Sequence, residues 1–367
     1  MQKILRLPAV LFTLILLLTM TLYPACAAAG ARDGLLLTGK TILPALFPFF
    51  AASALLTRTG SASALGHLCA RPFRVLFGLP GASAAALVTG LLGGYPVGVQ
   101  TTVALYRSGE LSREQAEQLL SFANCSGPAF LVGVCGAALC SSRRIGLILY
   151  AIHAAAALLT GIALTRGQQS SPMASTRTAP TPTESFSTAF VGAIADATAV
   201  SLKVTAFIVF FSVLLALGTT LGILPLLSNL LSPLLPLLGF PKTAALPFCS
   251  GVFELTIGLS QLPALPNRVI LPLMSLLIGF GGISVHGQAA ALTAGSGISL
   301  APHFRGKILH ALISYALATA WCAAWPQSIT VFAGGTVTAV HMTYPLLFLF
   351  LIVVFVKKTG KPHPHAL

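Results

Sequence analysis

The chain has 367 residues, 56% of them apolar and only 8% charged, at a mean hydropathy of +0.90. These values exclude a soluble globular domain and predict an all-α, polytopic helical membrane protein. The formal net charge is +14, but the basic residues stand singly or in pairs between apolar runs and never form a face with interleaved aromatics. That pattern excludes nucleic acid as a partner and fits topology signals and anionic lipid.

Residues 1–30 open with MQKILR, continue apolar to Met20 and turn Ala-rich around Cys26. Ala25-Cys26-Ala27 and Ala27-Ala28-Ala29 each suit a signal peptidase, but in a chain apolar throughout, a retained signal-anchor helix is the expectation. Lys3 and Arg6 precede it, and Lys357, Lys358 and Lys361 follow the final apolar run at 344–356. By the positive-inside rule both termini are expected in the cytoplasm of a multi-pass cell-membrane protein, which requires an even number of crossings. Seven cysteines include no CxxC pair, and most lie in apolar surroundings, so they read as small buried hydrophobes.

Apolar segments follow at 35–57, 81–106, 118–140, 145–165, 189–224, 243–262, 269–293 and 306–326. Several contain paired glycines and prolines, which a spanning helix tolerates only where protein or water satisfies the freed backbone groups. Ser108 to Gln118 is aqueous in character: Ser112 with Gln115 three residues on forms a capping-box start, and Glu114 and Glu117 occupy the first turns. It reads as an interfacial helix feeding SFANCSGP (121–128). Residues 186–203, with Asp196 and Lys203 on a polar side, are expected to be similar. Between them, 167–187 is rich in Ser, Thr and Pro without apolar period and reads as a disordered linker.

The linker separates two copies of one pattern. An offset of 161 positions carries Phe49-Phe50 onto Phe210-Phe211, Pro72 onto Pro233, Gly78 onto Gly239, Pro80 onto Pro241 and Gly90 onto Gly251. Matched glycines and prolines weigh more than matched leucines because each dictates a backbone feature. The expected organisation is a first repeat at 31–166, the linker, a second repeat at 188–326, and a C-terminal transmembrane helix with basic tail at 327–367.

Four glycine-broken stretches then carry the candidate chemistry. GLLGGYPVG (Gly90, Gly93, Gly94, Tyr95, Pro96, Gly98) corresponds to GVFELTIG (Gly251, Glu254, Gly258), and SFANCSGP (Asn124, Ser126, Pro128) corresponds to GFGGISVHGQ (Gly281, Gly282, Ser284, His286, Gln288). Broken apolar segments at matching places in two halves point to a transporter's solute site, because half-helix ends leave N–H and C=O groups free near the midplane. Glu254 is the one acidic residue of seven without another charge within ten residues on either side. A carboxylate there, costing about 3 kcal/mol at a helix centre, is a functional candidate that could take a proton or a cation. The plainer alternative is a Glu at a helix end with its head in the interface. Asn124, Ser126, Ser284 and Gln288 are neutral hydrogen-bonding groups whose alternative role is interhelical glue. His286 serves equally as a packed, singly bonded ring or as a relay or solute contact.

His67, His153, His303, His310 and His341 have no metal-ligand spacing, Ser and His occur without an elbow motif, and no Walker sequence is present. No cofactor, metal or enzymatic activity is therefore expected.

The order LFPFF, GYPVG, REQAEQLLSFANCSGP, GVFELTIG and GFGGISVHGQ, across about residues 30–326, resembles the sporulation integral membrane protein family of the YlbJ type. Its members carry paired nucleoside-recognition (Gate) domains. The FAN-x-S element and the intramembrane Glu are also similar, more distantly, to concentrative nucleoside transporters with re-entrant hairpins. Gly127 departs from the pattern, standing where a second Asn is expected. The resemblance implies a role in endospore formation at cortex assembly, with no established substrate. The expected function is a secondary transporter of a small polar solute coupled through Glu254. Its competitor is a membrane scaffold that binds sporulation partners or copies of itself.

Overall fold

A computed structural model describes residues 2–165, 185–265 and 267–325, and among these the chain is helical with no strand. α1 (Gln2–Leu22) ends one residue before α2 (Pro24–Leu37), which passes through a wider turn at Thr38–Ile42 into α3 (Leu43–Arg58). Together Pro24–Arg58 form one helix of 35 residues. α4 (Ser61–Phe77) and α5 (Ala84–Gly93) follow, with a bend of 104° between them. α6 (Val97–Arg107), α7 (Arg113–Ala123), a wide-turned helix at Ala129–Leu139 and α8 (Arg143–Thr165) complete the first half. The second half runs α9 (Phe186–Thr220), α10 (Ile223–Leu231), α11 (Ala245–Phe253), α12 (Leu255–Ser260), α13 (Asn267–Phe280), α14 (Gly282–Thr293) and α15 (Ala301–Ala324).

The exterior is apolar, unlike that of a soluble protein, and the apolar core holds buried polar groups. Leu14, Ile15, Leu18, Val191, Leu202, Leu226, Leu230 and Leu237 are exposed, while Asn124, His153, Glu254, His303, Lys307 and His310 are each no more than 2% exposed. An apolar exterior is what a hydrocarbon solvent selects. Five helices among the described residues are long and apolar enough to cross a bilayer, and α4 with α5 would make a sixth, bent crossing. The chain is a polytopic α-helical membrane protein.

Small residues set the crossing of α2 and α9. A Cβ on Gly30 would come within 2.9 Å of the Ala216 Cβ, and one on Gly34 within 2.6 Å of the Ser212 Oγ, so a small-xxx-small row on α2 meets another on α9. Farther along the same pair of elements, Arg58 at the end of α3 donates to Asp196 of α9 at 2.7 Å. The separate amphipathic stretch expected at 186–203 is corrected here: these residues are the unbroken first half of α9. No proline interrupts 186–220, and a helix of about 52 Å outruns the hydrocarbon core, so one element holds both a polar start and a span.

The breaks behave in two ways. Seven or eight residues along a helix would advance about 10–12 Å, yet a Cβ on Gly258 would collide with the Gly251 backbone, and one on Gly90 would reach the Gly98 Cα at 3.2 Å. α5–α6 and α11–α12 therefore fold back as hairpins. α13 and α14 instead form one interrupted span over Arg268–Thr293. At the aqueous edge, Ser112 Oγ accepts from the Gln115 N–H and the Gln115 side chain accepts from the Ser112 N–H, the capping box that the spacing predicts. Of the expected linker, 167–184 lies outside the described residues, as does the C-terminal segment 327–367; Ser185 caps α9 by accepting from Thr188 N–H.

Gly98 has no room for a side chain, since its Cβ would meet the Ala123 carbonyl and, at 3.2 Å, the Asn124 Cα, all of it backbone. Gly98→Ala is expected to lower stability by about 1–3 kcal/mol. Gly39→Ala, with nothing within 4 Å, should be neutral or stabilising by up to about 1 kcal/mol. Thermal denaturation of the two detergent-purified variants checks the order; equal melting temperatures would refute the backbone crossing.

Candidate functional site

Each break is built from residues that can leave helical geometry. α5 ends at Gly93, and Gly94 follows with φ +81, in the left-handed region that favours glycine. A Cβ there would also lie 2.9 Å from the Gly127 N, so the first two breaks of the chain touch backbone to backbone. α7 is closed by Asn124 (φ −83, ψ 87), and Pro128 starts the wide-turned helix after it. Between α11 and α12 the chain is extended at Glu254 (φ −135, ψ 113), and its own carboxylate caps α12 by accepting from the Ile257 N–H at 2.8 Å. Gly281 (φ +91) and Gly282 (φ +76) separate α13 from α14, and a Cβ on Gly282 would lie 3.0 Å from the Gly251 carbonyl.

These breaks surround a small cleft of about 50 Å³, room for a few waters or one small group. Gly93, Gly94 and Tyr95 from the first break, Ser126 and Gly127 from the second, Glu254 and Thr256 from the third, and Gln288 of α14 line it, with Phe50, Phe130 and Ile208 on the apolar side. Glu254 is 2% exposed and its other oxygen accepts from the Ser284 hydroxyl at 3.4 Å. Ser284 is thus behind the carboxylate, and Gln288, one turn on, reaches the cleft from the same helix face. Glu254 is the one acidic residue on this wall among the described residues. Gly93, 161 positions before it, lines the same cleft, so the two positions contribute a carboxylate and a bare backbone to one space.

Several polar atoms there have no protein partner. Ser126 Oγ and Gln288 Oε1 are buried and unbonded, and both side-chain atoms of Asn124 are unbonded at 1% exposure. A buried polar group left unsatisfied costs about 1–3 kcal/mol, so groups of this kind mark a place where a ligand or water completes the bonding. Ser126 is held from behind, its N–H donating to His153 Nε2 at 2.8 Å. Asn124 stands apart from the cleft wall: its carbonyl accepts from Lys307 Nζ at 3.3 Å.

His286 is not on the cleft wall. Its ring packs against Phe280 (4.8 Å), Phe304 (5.1 Å) and His303 (5.2 Å), with both nitrogens unbonded. Tyr95 lines the cleft by its ring and ties the halves together by its hydroxyl, which donates to the Ile278 carbonyl at 2.8 Å and accepts from Lys307 Nζ at 3.0 Å. Lys307 is the residue that reading the sequence missed. Its signal was present: His303, Lys307, His310 and Ser314 recur at helical spacing and form one buried face of α15. From that face His303 Nδ1 meets the Leu120 carbonyl at 3.1 Å and His310 Nε2 meets the His153 carbonyl at 3.1 Å. Among the described residues no group of three or more His, Cys, Asp or Glu converges as a metal site would require.

Fold and site together define a helical membrane protein whose broken helices enclose a buried cleft with a single acid and several unbonded neutral groups. Residues 40–141, which hold the first two breaks, match the family described as nucleoside recognition (Gate). The chain is also 27% identical over 319 residues to the sporulation integral membrane protein YlbJ of Bacillus subtilis (strain 168), covering 81% of this chain and 78% of that protein. No solved structure matches.

Tyr95→Phe removes one acceptor of Lys307 and the side-chain donor to Ile278 and is expected to cost about 1–3 kcal/mol. Tyr150→Phe, which loses only a 3.2 Å bond to the Leu91 carbonyl, should cost about 0.5–1.5 kcal/mol. Melting curves of the two variants read the difference; a Tyr95→Phe variant as stable as the parent would show that the cross-half bond contributes nothing.

Proposed function

We propose that this chain is a secondary transporter of a small polar solute, built from two Gate-like repeats, with Glu254 as its coupling group. One observation carries the reading: a buried carboxylate shares a cleft at the crossing of helix breaks with the unbonded Ser126 and Gln288 side chains. The match to a nucleoside-recognition family supports a solute with hydrogen-bonding groups on both donor and acceptor sides. Ser126 offers a hydroxyl and Gln288 an amide, so together they can accept from and donate to such a solute.

The mechanism follows from charge and access. With its carboxylate ionised, Glu254 attracts a proton or a small cation into an apolar enclosure; once neutralised, it removes the charge that opposes movement of the loaded site. Rocking of the two halves about the crossed breaks would then expose the cleft to the other side. Neither histidine nor cysteine stands beside Glu254 on the cleft wall among the described residues, so transport is proposed rather than catalysis. The similarity to a relative named for sporulation supports a role in endospore formation, and cortex assembly is the stage we propose for it. Both termini are proposed to face the cytoplasm, from Lys3 and Arg6 at one end and Lys357, Lys358 and Lys361 at the other.

A thermal-shift screen of the purified protein against nucleosides, amino acids and cortex precursors is expected to give a stabilising solute, with the shift abolished in Glu254→Gln. In reconstituted vesicles the same variant should lose gradient-driven uptake of that solute. Unchanged uptake would remove Glu254 from coupling. Full rescue of sporulation by a chain lacking the Glu254, Ser126 and Gln288 side chains would favour a scaffold.

A further inference from the structure

Lys307 sits where three helix ends converge. Its Nζ donates to the carbonyl of Asn124, the residue that closes α7, at 3.3 Å. It also donates at 3.0 Å to the hydroxyl of Tyr95, two residues beyond the end of α5, and that hydroxyl in turn donates to Ile278 in the last turn of α13. The ammonium stands 4.9 Å from the centre of the Tyr95 ring, within cation–π range. Its stem passes the fourth break, with the Cε 3.5 Å from where a Cβ on Gly281 would be. Among the described residues no carboxylate is within ion-pair distance of it, although it is 1% exposed.

A charge this deep is retained only where something compensates it. Here the compensation comes from the carboxyl-terminal ends of helices, whose carbonyls carry partial negative charge, together with a hydroxyl and an aromatic face. In transporters with broken helices, unwound carbonyls and half-helix C-termini are the groups that hold a coupling metal cation. We propose that the Lys307 ammonium is a tethered cation standing in that place, closing the crossing of the two halves without sodium or potassium. The ligand set suits an ammonium donor: the contacts are at hydrogen-bond distance, and the carbonyl and hydroxyl each accept one of its protons. Building on the transporter reading, Glu254 would then be the exchangeable charge of the site and Lys307 the tethered one.

Removing the side chain should leave a hole that a small free amine can fill. Lys307→Ala in detergent is expected to melt about 5 °C or more below the parent. Methylammonium should recover about half of that loss. Tetramethylammonium, which has no N–H to donate, should recover none at equal ionic strength. The parent should melt at the same temperature in sodium, potassium and choline chlorides. Lys307→Arg should remain closer to the parent than Lys307→Met, which fills the space without charge. Recovery of folded Lys307→Ala only when methylammonium is present during extraction counts as the same rescue.

Any of three results overturns the proposal. These are a saturable, sodium-specific stabilisation of the parent, a Lys307→Met protein as stable as the parent, or a folded Lys307→Ala protein indifferent to methylammonium. Stability is read here without any solute. An empty solute screen therefore leaves the cation result standing, and loss of the cation result leaves the transport reading standing.

Discussion

In hydrocarbon a backbone N–H or C=O freed from its helix has no water to turn to, and among the described residues four helix breaks meet around the cleft and α15. The breaks survive because they are packed against one another and against α15. Gly94 touches Gly127, Gly282 touches Gly251, and the ends of α7 and α13 are reached by Lys307 and by the Tyr95 hydroxyl. Glycine is required at these positions for a spatial reason: at Gly90 and Gly98 the nearest neighbour is the Ala123 carbonyl, which cannot move without moving α7. The site is therefore a consequence of how the backbone is satisfied, and the cleft is the space the crossed breaks leave between them.

Within that frame the two halves differ in electrical character. The first break presents Gly93 and the third presents Glu254, and both face one cleft. The carboxylate serves two masters, since one oxygen caps α12 through Ile257 while the other meets Ser284 and the cleft. A change in its protonation or ligation thus acts on the start of a helix as well as on whatever occupies the cleft. This gives a direct physical route from occupancy to movement of the α11–α12 hairpin. The first hairpin is held differently, through Tyr95 to α13 and α15, so the fixed positive charge belongs to the seam between halves and the single negative one to the cleft.

Much of the architecture was legible in residue order. Paired glycines and prolines marked the breaks, the isolated carboxylate marked Glu254, and Ser112 with Gln115 marked the start of α7. The apolar run at 189–224 marked most of α9, but the polar face at Asp196 imitates an interfacial helix in its first half; only its pairing with Arg58 of α3 explains the charge. His286 was open to two readings, and helical rotation turns its ring toward Phe280 and Phe304, the packed arrangement, rather than toward the cleft. Lys307 was passed over because its partners lie more than 180 residues away.

The sequence by itself determined that the chain is a helical membrane protein, where its helices break, and which break carries an acid. Hydropathy, glycine and proline act locally, and their consequences are felt within a few residues of where they occur. Only the tertiary structure decided which breaks meet, that two of them fold back while Gly281 interrupts a through-going span, and that a lysine from the last described helix closes the crossing. Those outcomes depend on contacts between segments far apart in the chain. There, close backbone approach and the need to compensate a buried charge select the partners, and neither is expressed in local composition.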